Sequence, residues 1–353
     1  MKASIITMTS TYNYGATLQA FALQSYIESL GYSCNIIDHM GWTGHRTIDV
    51  GKMSKETLLV LPYKRELERG YRNFEKFYEE YMHMTNRYST IAELHKSPPE
   101  SDLFITGSDQ VWNPRDLRGE FYLDFAPEGA RKISYAASIG VSKIPDEKKA
   151  AISGLLGNLD AISVRENNAK LQVEALTDKP ITVNCDPVFL LDKEKWSSIS
   201  SEVTEIKNDY LLCYLIYKPE WFNDWARAMK KATGLKIVLV GLQGYRRVFC
   251  DYFVRNAGPR EFIWLIEHAK AVATSSFHGT VFSIVFGKPV VAMPDPPRPD
   301  RIHSLLEMFA IKDRELYENK MVDITKNYSD IDIKTIIKAE QKKTDKYFMS
   351  ALG

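Results

Sequence analysis

The sequence lacks the usual signatures of a nucleic-acid-binding or metal-binding protein. It has 46 basic and 45 acidic side chains, and no clustered basic excess that would bind a polyanion, so we expect no nucleic-acid partner. The four cysteines are isolated and form no C-x-x-C or Cys/His ligand spacing, which indicates buried thiols in a reducing compartment. Histidines and carboxylates show no metal-ligand spacing either, and we predict neither a protein-held metal nor a required cofactor.

Long apolar runs and common catalytic fingerprints are also missing. No run of eighteen apolar residues occurs, and the N-terminal M-K-A-S-I-I-T-M-T-S reaches a polar loop too soon for a signal peptide. We therefore expect a cytoplasmic protein without a transmembrane segment, although peripheral contact with a membrane surface stays open. There is no G-x-G-x-x-G dinucleotide fingerprint, no G-x-x-x-x-G-K-[ST] phosphate loop and no G-x-S-x-G hydrolase turn.

What the sequence does contain is an alternation of short apolar runs and helical patterns. Its 353 residues exceed the usual size of one hydrophobic core, so we expect two domains. The predicted fold is α/β, with two Rossmann-like domains facing a cleft. The apolar runs predict strands at residues 3–8, 34–37, 102–106, 132–137, 160–164, 181–184, 210–216, 236–240, 271–274 and 290–293.

Composition also suggests where the domains begin and end. A polar, serine-rich stretch at residues 192–208 is a plausible connection. We therefore predict an N-terminal domain over residues 1–200, with a helical insertion at about 40–100, and a C-terminal domain over residues 205–330. The last helical pattern, within residues 331–353, is charged enough to lie on the surface and could pack back on the N-terminal domain.

The most informative stretch is residues 269–293, where an apolar run breaks at T-S-S-F-H-G and a second one follows G-K-P. This pattern predicts strand, loop, helix, tight turn and strand. Either Ser275 or Ser276 would cap the helix, and His278 would lie in its first turn. Unpaired amides and the positive end of the helix dipole favour an anion there, so the predicted ligand is negatively charged.

Polar loops follow several of the other predicted strands. Because parallel strands end at one edge of a sheet, the loops at residues 9–15, 107–110, 138–140, 165–166 and 186–187 could line one ligand site. Asp109 is a candidate general base, or else it forms an Asx turn or helix cap. Asp186, before Pro187, is read as a cap or as a partner of an arginine.

Seven segments, in order, are similar to those of one known family. Through these seven segments the chain resembles the polysaccharide pyruvyl transferase family across almost its full length. The segments are N-Y-G-A-T-L-Q-A-F-A-L-Q (13–24), I-T-G-S-D-Q-V-W-N-P (105–114), Y-A-A-S-I-G (135–140), I-S-V-R-E (162–166), C-D-P-V-F-L-L (185–191), S-S-F-H-G-T-V-F-S-I-V-F-G-K-P-V (275–290) and D-R-I-H-S-L-L (300–306).

The resemblance implies a transferase with two domains arranged as in GT-B glycosyltransferases. Phosphoenolpyruvate would be the donor co-substrate, bound on the C-terminal side. The acceptor would be a sugar of a surface-polysaccharide precursor, exopolysaccharide or capsule, free or lipid-linked. The product would carry the pyruvyl group as a cyclic ketal across two hydroxyls, and phosphate would leave.

The resemblance also implies donor-binding and catalytic residues. It places His278 and Gly279 at the donor, where the imidazole would act as an acid or as a cationic partner for phosphate. Arg165 would face the donor as well, with a salt bridge to Glu166 or Asp186 as the structural alternative. Ser276 stands where many members carry an arginine. Ser275, Ser276 and the helix amides could replace part of that contact, with Arg301, Arg298 or Lys288 as possible cationic substitutes.

The acceptor is expected at the N-terminal loops. Aromatic faces cover the apolar surface of sugar rings and amides bind hydroxyls, so the candidate acceptor-binding residues are Tyr12, Asn13, Tyr14, Gly15, Ser108 and Gln110. An alternative is that Asn13 and Gly15 only shape the turn. Two other functions also remain open, a glycosyltransferase with a nucleotide-sugar donor and a non-catalytic carbohydrate-binding homologue.

Overall fold

The strands fall into two parallel sheets, one in each of two structural units of a computed structural model. The model describes residues 1–9, 11–39, 60–242, 249–295, 300–318, 320, 322–326 and 332–353. The N-terminal unit comprises Met1–Trp42, Tyr81–Leu191 and Lys334–Gly353, and the C-terminal unit comprises Thr43–Glu80 and Asp192–Ile333. The predicted insertion at residues 40–100 is thus divided between the two units.

The N-terminal unit is built on parallel strands in the order β2-β1-β3-β4, and a β5-β6 pair continues the sheet through isolated bridges to β4 and the loop after it. The strands are β1 (Lys2–Ile6), β2 (Ser33–Ile36), β3 (Leu103–Thr106), β4 (Arg131–Ser134), β5 (Ile162–Val164) and β6 (Ile181–Val183). The strand order reverses direction between β1 and β3. In open α/β sheets, ligands bind at the carboxyl ends of the strands beside such a switch point.

The C-terminal unit is a second parallel sheet, in the order β11-β10-β7-β8-β9. Its strands are β7 (Tyr210–Tyr214), β8 (Lys236–Val240), β9 (Tyr252–Val254), β10 (Ala271–Thr274) and β11 (Val290–Ala292). Every residue of β7, β10 and β11 is buried, as expected for strands covered on both faces. The switch point of this sheet lies between β7 and β10.

Helices connect the strands in both units. In chain order they are α1 (Tyr14–Ser29), α2 (Lys64–Tyr81), α3 (Ile91–Lys96), α4 (Asp146–Leu156), α5 (Asn167–Glu174), α6 (Lys193–Ser198), α7 (Phe222–Thr233), α8 (Pro259–His268), α9 (Phe277–Val285), α10 (Asp300–Met308) and α11 (Ile333–Leu352). None of these helices, within the residues described, is long and apolar enough to cross a membrane.

Two helices distant in sequence complete the units. The C-terminal α11 packs on β4, where the Tyr347 hydroxyl donates to the Ser134 carbonyl at 2.6 Å and Arg131 Nε donates to the Ala351 carbonyl at 2.6 Å. Helix α2 packs in the C-terminal unit. A Cβ at Gly70 would lie 2.9 Å from the Arg255 carbonyl oxygen, so only glycine allows this close approach.

All four cysteines are buried thiols outside any disulfide, as the sequence predicts. Burial raises the pKa of the Cys185 thiol to about 12. A thiol with such a pKa stays protonated at neutral pH and is a poor nucleophile or metal ligand. The cysteines therefore pack as small apolar side chains.

Candidate functional site

At the switch point of the N-terminal sheet, the loop after β3 is fixed by a closed set of hydrogen bonds. Ser108 N–H donates to Gln19 Oε1 at 3.1 Å, and Gln19 Nε2 donates to Thr7 Oγ1 at 2.9 Å. Thr7 Oγ1 in turn donates to the Ser108 carbonyl at 2.9 Å, and Ser108 Oγ donates to the Ala136 carbonyl at 2.7 Å. These bonds occupy the polar groups of Ser108, whose acceptor-binding role stays a prediction, and they hold the following Asp109 in place.

The predicted acceptor residues are divided between turn and core. Asn13 caps α1, because its Oδ1 accepts from Ala16 N–H at 3.2 Å, while Tyr14 is only 2% exposed. Tyr12 is half-buried. The Gln110 side chain lies against Gly140, where a Cβ would come within 2.2 Å of Gln110 Oε1. The turn-shaping role of Asn13 is therefore present, and sugar binding by this loop stays a prediction.

Arg165, at the carboxyl end of β5, is buried among three carboxylates. Its Nη1 donates to Asp186 Oδ2 at 2.9 Å, its Nη2 lies 3.7 Å from Asp109 Oδ1, and its Nε lies 3.8 Å from Glu166 Oε2. Burial by itself would lower the pKa of this guanidinium, but the charges of Asp186, Asp109 and Glu166 outweigh it and raise the pKa. The salt-bridge alternative for Arg165 is thus present, and its predicted contact with the donor is not tested by the geometry.

Asp186 and Glu166 are themselves held by other donors. Asp186 Oδ1 accepts from Val188 N–H at 3.1 Å, which makes Asp186 the cap of the short helix Pro187–Leu190. Glu166 Oε1 accepts from Ser138 Oγ at 2.8 Å and from Ile139 N–H at 3.1 Å. Asp109 is the most exposed of the three carboxylates, with 16% of its side chain accessible. It is therefore the one best placed to accept a proton from a ligand.

At the switch point of the C-terminal sheet, residues 274–279 form the predicted strand, loop and helix start. Ser276 is the N-cap of α9, and its Oγ accepts from Gly279 N–H at 3.3 Å. Ser275 Oγ donates to the Tyr217 carbonyl at 2.7 Å and accepts from Tyr217 N–H at 2.9 Å. Both hydroxyls therefore support the loop, and Ser276 supplies no cation in place of the arginine.

His278 lies in the first turn of α9, as the sequence predicts, and is 6% exposed. Its ring packs edge-to-face on Phe277 at 5.3 Å between centroids. The guanidinium of Arg301, in the first turn of α10, lies 5.9 Å from the centroid of the same Phe277 ring. The structure thus brings His278 and Arg301 to one edge of the sheet. Arg298 lies outside the described residues.

Lys288 lies at the opposite edge of the sheet. It lines a cavity of about 880 Å³ together with Asp209 and Lys270, residues that lie just before β7, β10 and β11. The amino ends of parallel strands face away from the carboxyl ends, where His278 is found. Lys288 therefore cannot replace the missing arginine beside His278.

Gly279 allows α9 to approach the sheet, and we predict that replacing it by alanine destabilises the protein. A Cβ there would lie 2.4 Å from Thr274 Oγ1 and 3.0 Å from Tyr214 Cδ1. Overpacking of this kind costs about 1–3 kcal/mol of unfolding free energy, measurable by urea unfolding. Gly154→Ala in α4 is the control, since its Cβ would meet nothing within 4 Å and alanine favours a helix. Equal stability of the two variants would contradict the conclusion that α9 needs a glycine at position 279 to approach the sheet.

Within the described residues, no group of three or more His, Cys, Asp or Glu side chains could hold a metal ion. One polar cluster that the sequence reasoning missed lies beyond β11, where His303 is hydrogen-bonded to Glu315. His303 is part of the segment D-R-I-H-S-L-L, but its partner Glu315 is twelve residues further along the chain and follows a short helix. The sequence pattern alone could not pair the two residues.

Two parallel Rossmann-like sheets, each with a polar loop at its switch point, define an α/β protein of the GT-B type. The chain is similar to a UDP-GlcNAc 2-epimerase from Neisseria meningitidis bound to UDP-GlcNAc, with a TM-score of 0.51 and 11% identity over 99% of this chain and 94% of that one. It is also similar to an alpha-glucosyltransferase in complex with UDP and a DNA 13-mer, with a TM-score of 0.50 and 9% identity over 100% and 92% of the two chains. The predicted GT-B-like fold class is confirmed.

The family model described as polysaccharide pyruvyl transferase matches residues 13–295. The chain therefore belongs to the polysaccharide pyruvyl transferase family, as its seven segments suggested. No curated protein matches it in sequence. At such low sequence identities, the likeness to solved structures shows only a shared fold.

Proposed function

We propose that this protein transfers a pyruvyl group from phosphoenolpyruvate to a sugar of a surface-polysaccharide precursor, forming a cyclic ketal and releasing phosphate. The main support for this proposal is the position of His278 in the first turn of α9. This helix follows β10, one of the two strands that border the switch point of the C-terminal sheet. Phosphoenolpyruvate has a phosphate and a carboxylate, and a helix N-terminus with a protonatable imidazole is suited to anions. Family membership supplies the reaction class.

Arg301 strengthens the donor assignment. It lies within the C-terminal unit, near the Phe277 ring that also contacts His278. A guanidinium binds phosphate or carboxylate through two parallel hydrogen bonds, which a serine hydroxyl cannot do. Arg301 therefore supplies the cation that the family pattern would place at Ser276.

The acceptor is assigned to the N-terminal unit, with Asp109 as the general base. The network of Gln19, Thr7 and Ser108 fixes the backbone just before Asp109, and Arg165 attracts its carboxylate. A carboxylate held at a fixed position can accept the proton of a sugar hydroxyl that binds within hydrogen-bond distance of it. Tyr12 offers a half-buried aromatic face to the sugar ring.

The test is a reaction of purified protein with phosphoenolpyruvate and candidate nucleotide-sugar or lipid-linked acceptors. We expect phosphate release together with an acceptor heavier by one pyruvyl unit, measured by colorimetric phosphate assay and mass spectrometry. Replacing phosphoenolpyruvate by pyruvate is the negative control, since it lacks the leaving group. No phosphate release with any acceptor, together with no calorimetric binding of phosphoenolpyruvate, would remove the donor assignment.

A second candidate function is glycosyl transfer from a nucleotide sugar. The observation that favours it is Ser276, which caps α9 where many family members carry an arginine. Thermal-shift measurements separate the two functions, because a ligand that binds only the folded state raises the free energy of unfolding by RT ln(1 + [L]/Kd). A shift with a uridine or guanosine diphosphate, and none with phosphoenolpyruvate, would favour glycosyl transfer.

A further inference from the structure

A histidine that the proposed function does not yet use is held by a buried carboxylate in the C-terminal unit. His303, in the first turn of α10, hydrogen-bonds through Nδ1 to Glu315 Oε1. The other carboxylate oxygen, Glu315 Oε2, accepts from the Tyr317 hydroxyl at 2.5 Å. The three side chains form a chain of hydrogen bonds, which we call the His303 cluster.

The hydrogen bond to Glu315 fixes the tautomer of His303. An ionised carboxylate only accepts, so Nδ1 must be the donor, and Nε2 is the nitrogen left to gain or lose a proton. Burial, followed by the hydrogen bond to Glu315, raises the pKa of Tyr317 to about 12, so this hydroxyl stays protonated and keeps donating.

The exposure of the cluster differs from one residue to the next. The Glu315 side chain is 6% exposed, whereas 33% of the His303 side chain is accessible. His278, the other histidine at this edge, is only 6% exposed. His303 is therefore the more accessible of the two histidines.

The His303 cluster lies at the carboxyl end of the strand next to the one that precedes His278. Leu316 N–H donates to the Ala292 carbonyl at 2.8 Å and Glu315 forms a parallel bridge with Ala292, so Glu315 lies beside the last residue of β11. Strand β11 pairs with β10 in a register that sets Ala292 opposite Thr274, two residues before Ser276, the N-cap of the helix that holds His278. The cluster and His278 therefore belong to one edge of one unit.

We propose that His303 is the general acid that protonates the methylene carbon of phosphoenolpyruvate, with Glu315 and Tyr317 as positioning residues. This inference rests on the proposed function and assigns its first chemical step. It separates two tasks, since His278 and Arg301 then bind the anionic groups while His303 supplies the proton. General acid catalysis by a positioned histidine contributes about 10²–10⁴ in rate.

The electron pair of the enol double bond takes the proton of His303 Nε2, which turns the methylene into a methyl group and leaves an oxocarbenium-like centre at the neighbouring carbon. One sugar hydroxyl attacks this carbon, and a second displaces phosphate. Asp109, the proposed general base, takes up the hydroxyl protons in turn and releases them to solvent. Of these two protons, one is recovered by His303 and the other leaves with the phosphate.

The experiment compares His303→Asn with the wild-type full chain, using phosphoenolpyruvate and an acceptor that supports transfer. The asparagine amide can still donate to Glu315, but it has no titrating nitrogen. We expect kcat to fall about 100-fold while KM for phosphoenolpyruvate stays within about threefold. His83→Asn is the matched control, because His83 Nδ1 also pairs with a glutamate, Glu28 Oε1 at 2.7 Å, in the N-terminal unit. That variant is expected to keep the wild-type kcat.

A second variant guards against a folding defect in the first. His303→Ala is assayed with and without added imidazole, after circular dichroism shows which variants are folded. Recovery of rate that depends on the pKa of the added imidazole supports proton transfer, and a purely structural role would not produce it. A wild-type kcat in either folded variant overturns the inference and leaves the proposed function standing. No transfer by the wild-type protein overturns both.

Discussion

Replacing His278 by glutamine is expected to lower kcat/KM for phosphoenolpyruvate about 100-fold or more, a loss of about 2.7 kcal/mol in transition-state binding. The substitution removes the protonatable ring from the first turn of α9 and leaves the helix amides in place. The helix amides and the neutral glutamine amide then have to bind the anion without a side chain that can carry a positive charge, and hydrogen bonds from neutral donors to an anion are the weaker ones. Steady-state kinetics and calorimetric binding of phosphoenolpyruvate measure the effect.

The control for His278→Gln is another buried histidine. His39 is 5% exposed, and burial lowers its pKa to about 4, so it is neutral at pH 7. Its Nδ1 donates to the Ile37 carbonyl at 3.3 Å, a bond that asparagine can replace. His39→Asn should change stability without a comparable loss of transfer. Full activity of His278→Gln would mean that His278 only packs. No transfer by the folded wild-type protein would instead favour a non-catalytic homologue.

Replacing Asp186 by asparagine is expected to reduce the free energy of unfolding by about 3 kcal/mol. The change keeps the size of the side chain and the oxygen that caps Val188, but it removes the negative charge 2.9 Å from Arg165. The side chains of Asp186 and Arg165 are 0% and 3% exposed, so water cannot compensate. Asp109 and Glu166 remain 3.7 and 3.8 Å from the Arg165 guanidinium in the variant. The loss of unfolding free energy should therefore stay below the largest values found when a buried ion pair is broken.

The exposed pair of Arg227 and Asp224 is the matched control for this prediction. Its Nη1–Oδ1 distance is also 2.9 Å, but the two side chains are 56% and 88% exposed. Surface pairs contribute about 0–1 kcal/mol, so Asp224→Asn should have little effect in the same urea titration. If both substitutions cost the same, the three carboxylates around Arg165 do not stabilise the fold in the way the geometry indicates.

The sequence predicts the regular elements well where the pattern is strong. The strand predictions at residues 236–240 and 271–274 coincide with β8 and β10, because buried parallel strands are near-continuous apolar runs. The strand β9, Tyr252–Val254, was missed, since three residues are too few to show a periodicity. Helix α10 was recognised as a family segment but not as a helix.

The site is less predictable than the fold. The position of His278 in a first helical turn follows from a local signal, a serine cap before an apolar helix. The pairing of Arg165 with Asp186 as its closest partner does not follow from a local signal. It depends on where two strands, separated by many residues in the sequence, end in space. The same holds for His303 and Glu315, and for the bond between Gln19 and Ser108.

The carboxyl end of the C-terminal sheet, beside His278, is expected to bind phosphoenolpyruvate. Titration calorimetry of the wild-type protein measures this binding, with uridine diphosphate as a parallel ligand and His278→Gln as the variant. We expect saturable binding of phosphoenolpyruvate at one site, about 100-fold weaker in the variant. Tight binding of the nucleotide with no heat from phosphoenolpyruvate, or equal affinity in the variant, would contradict it.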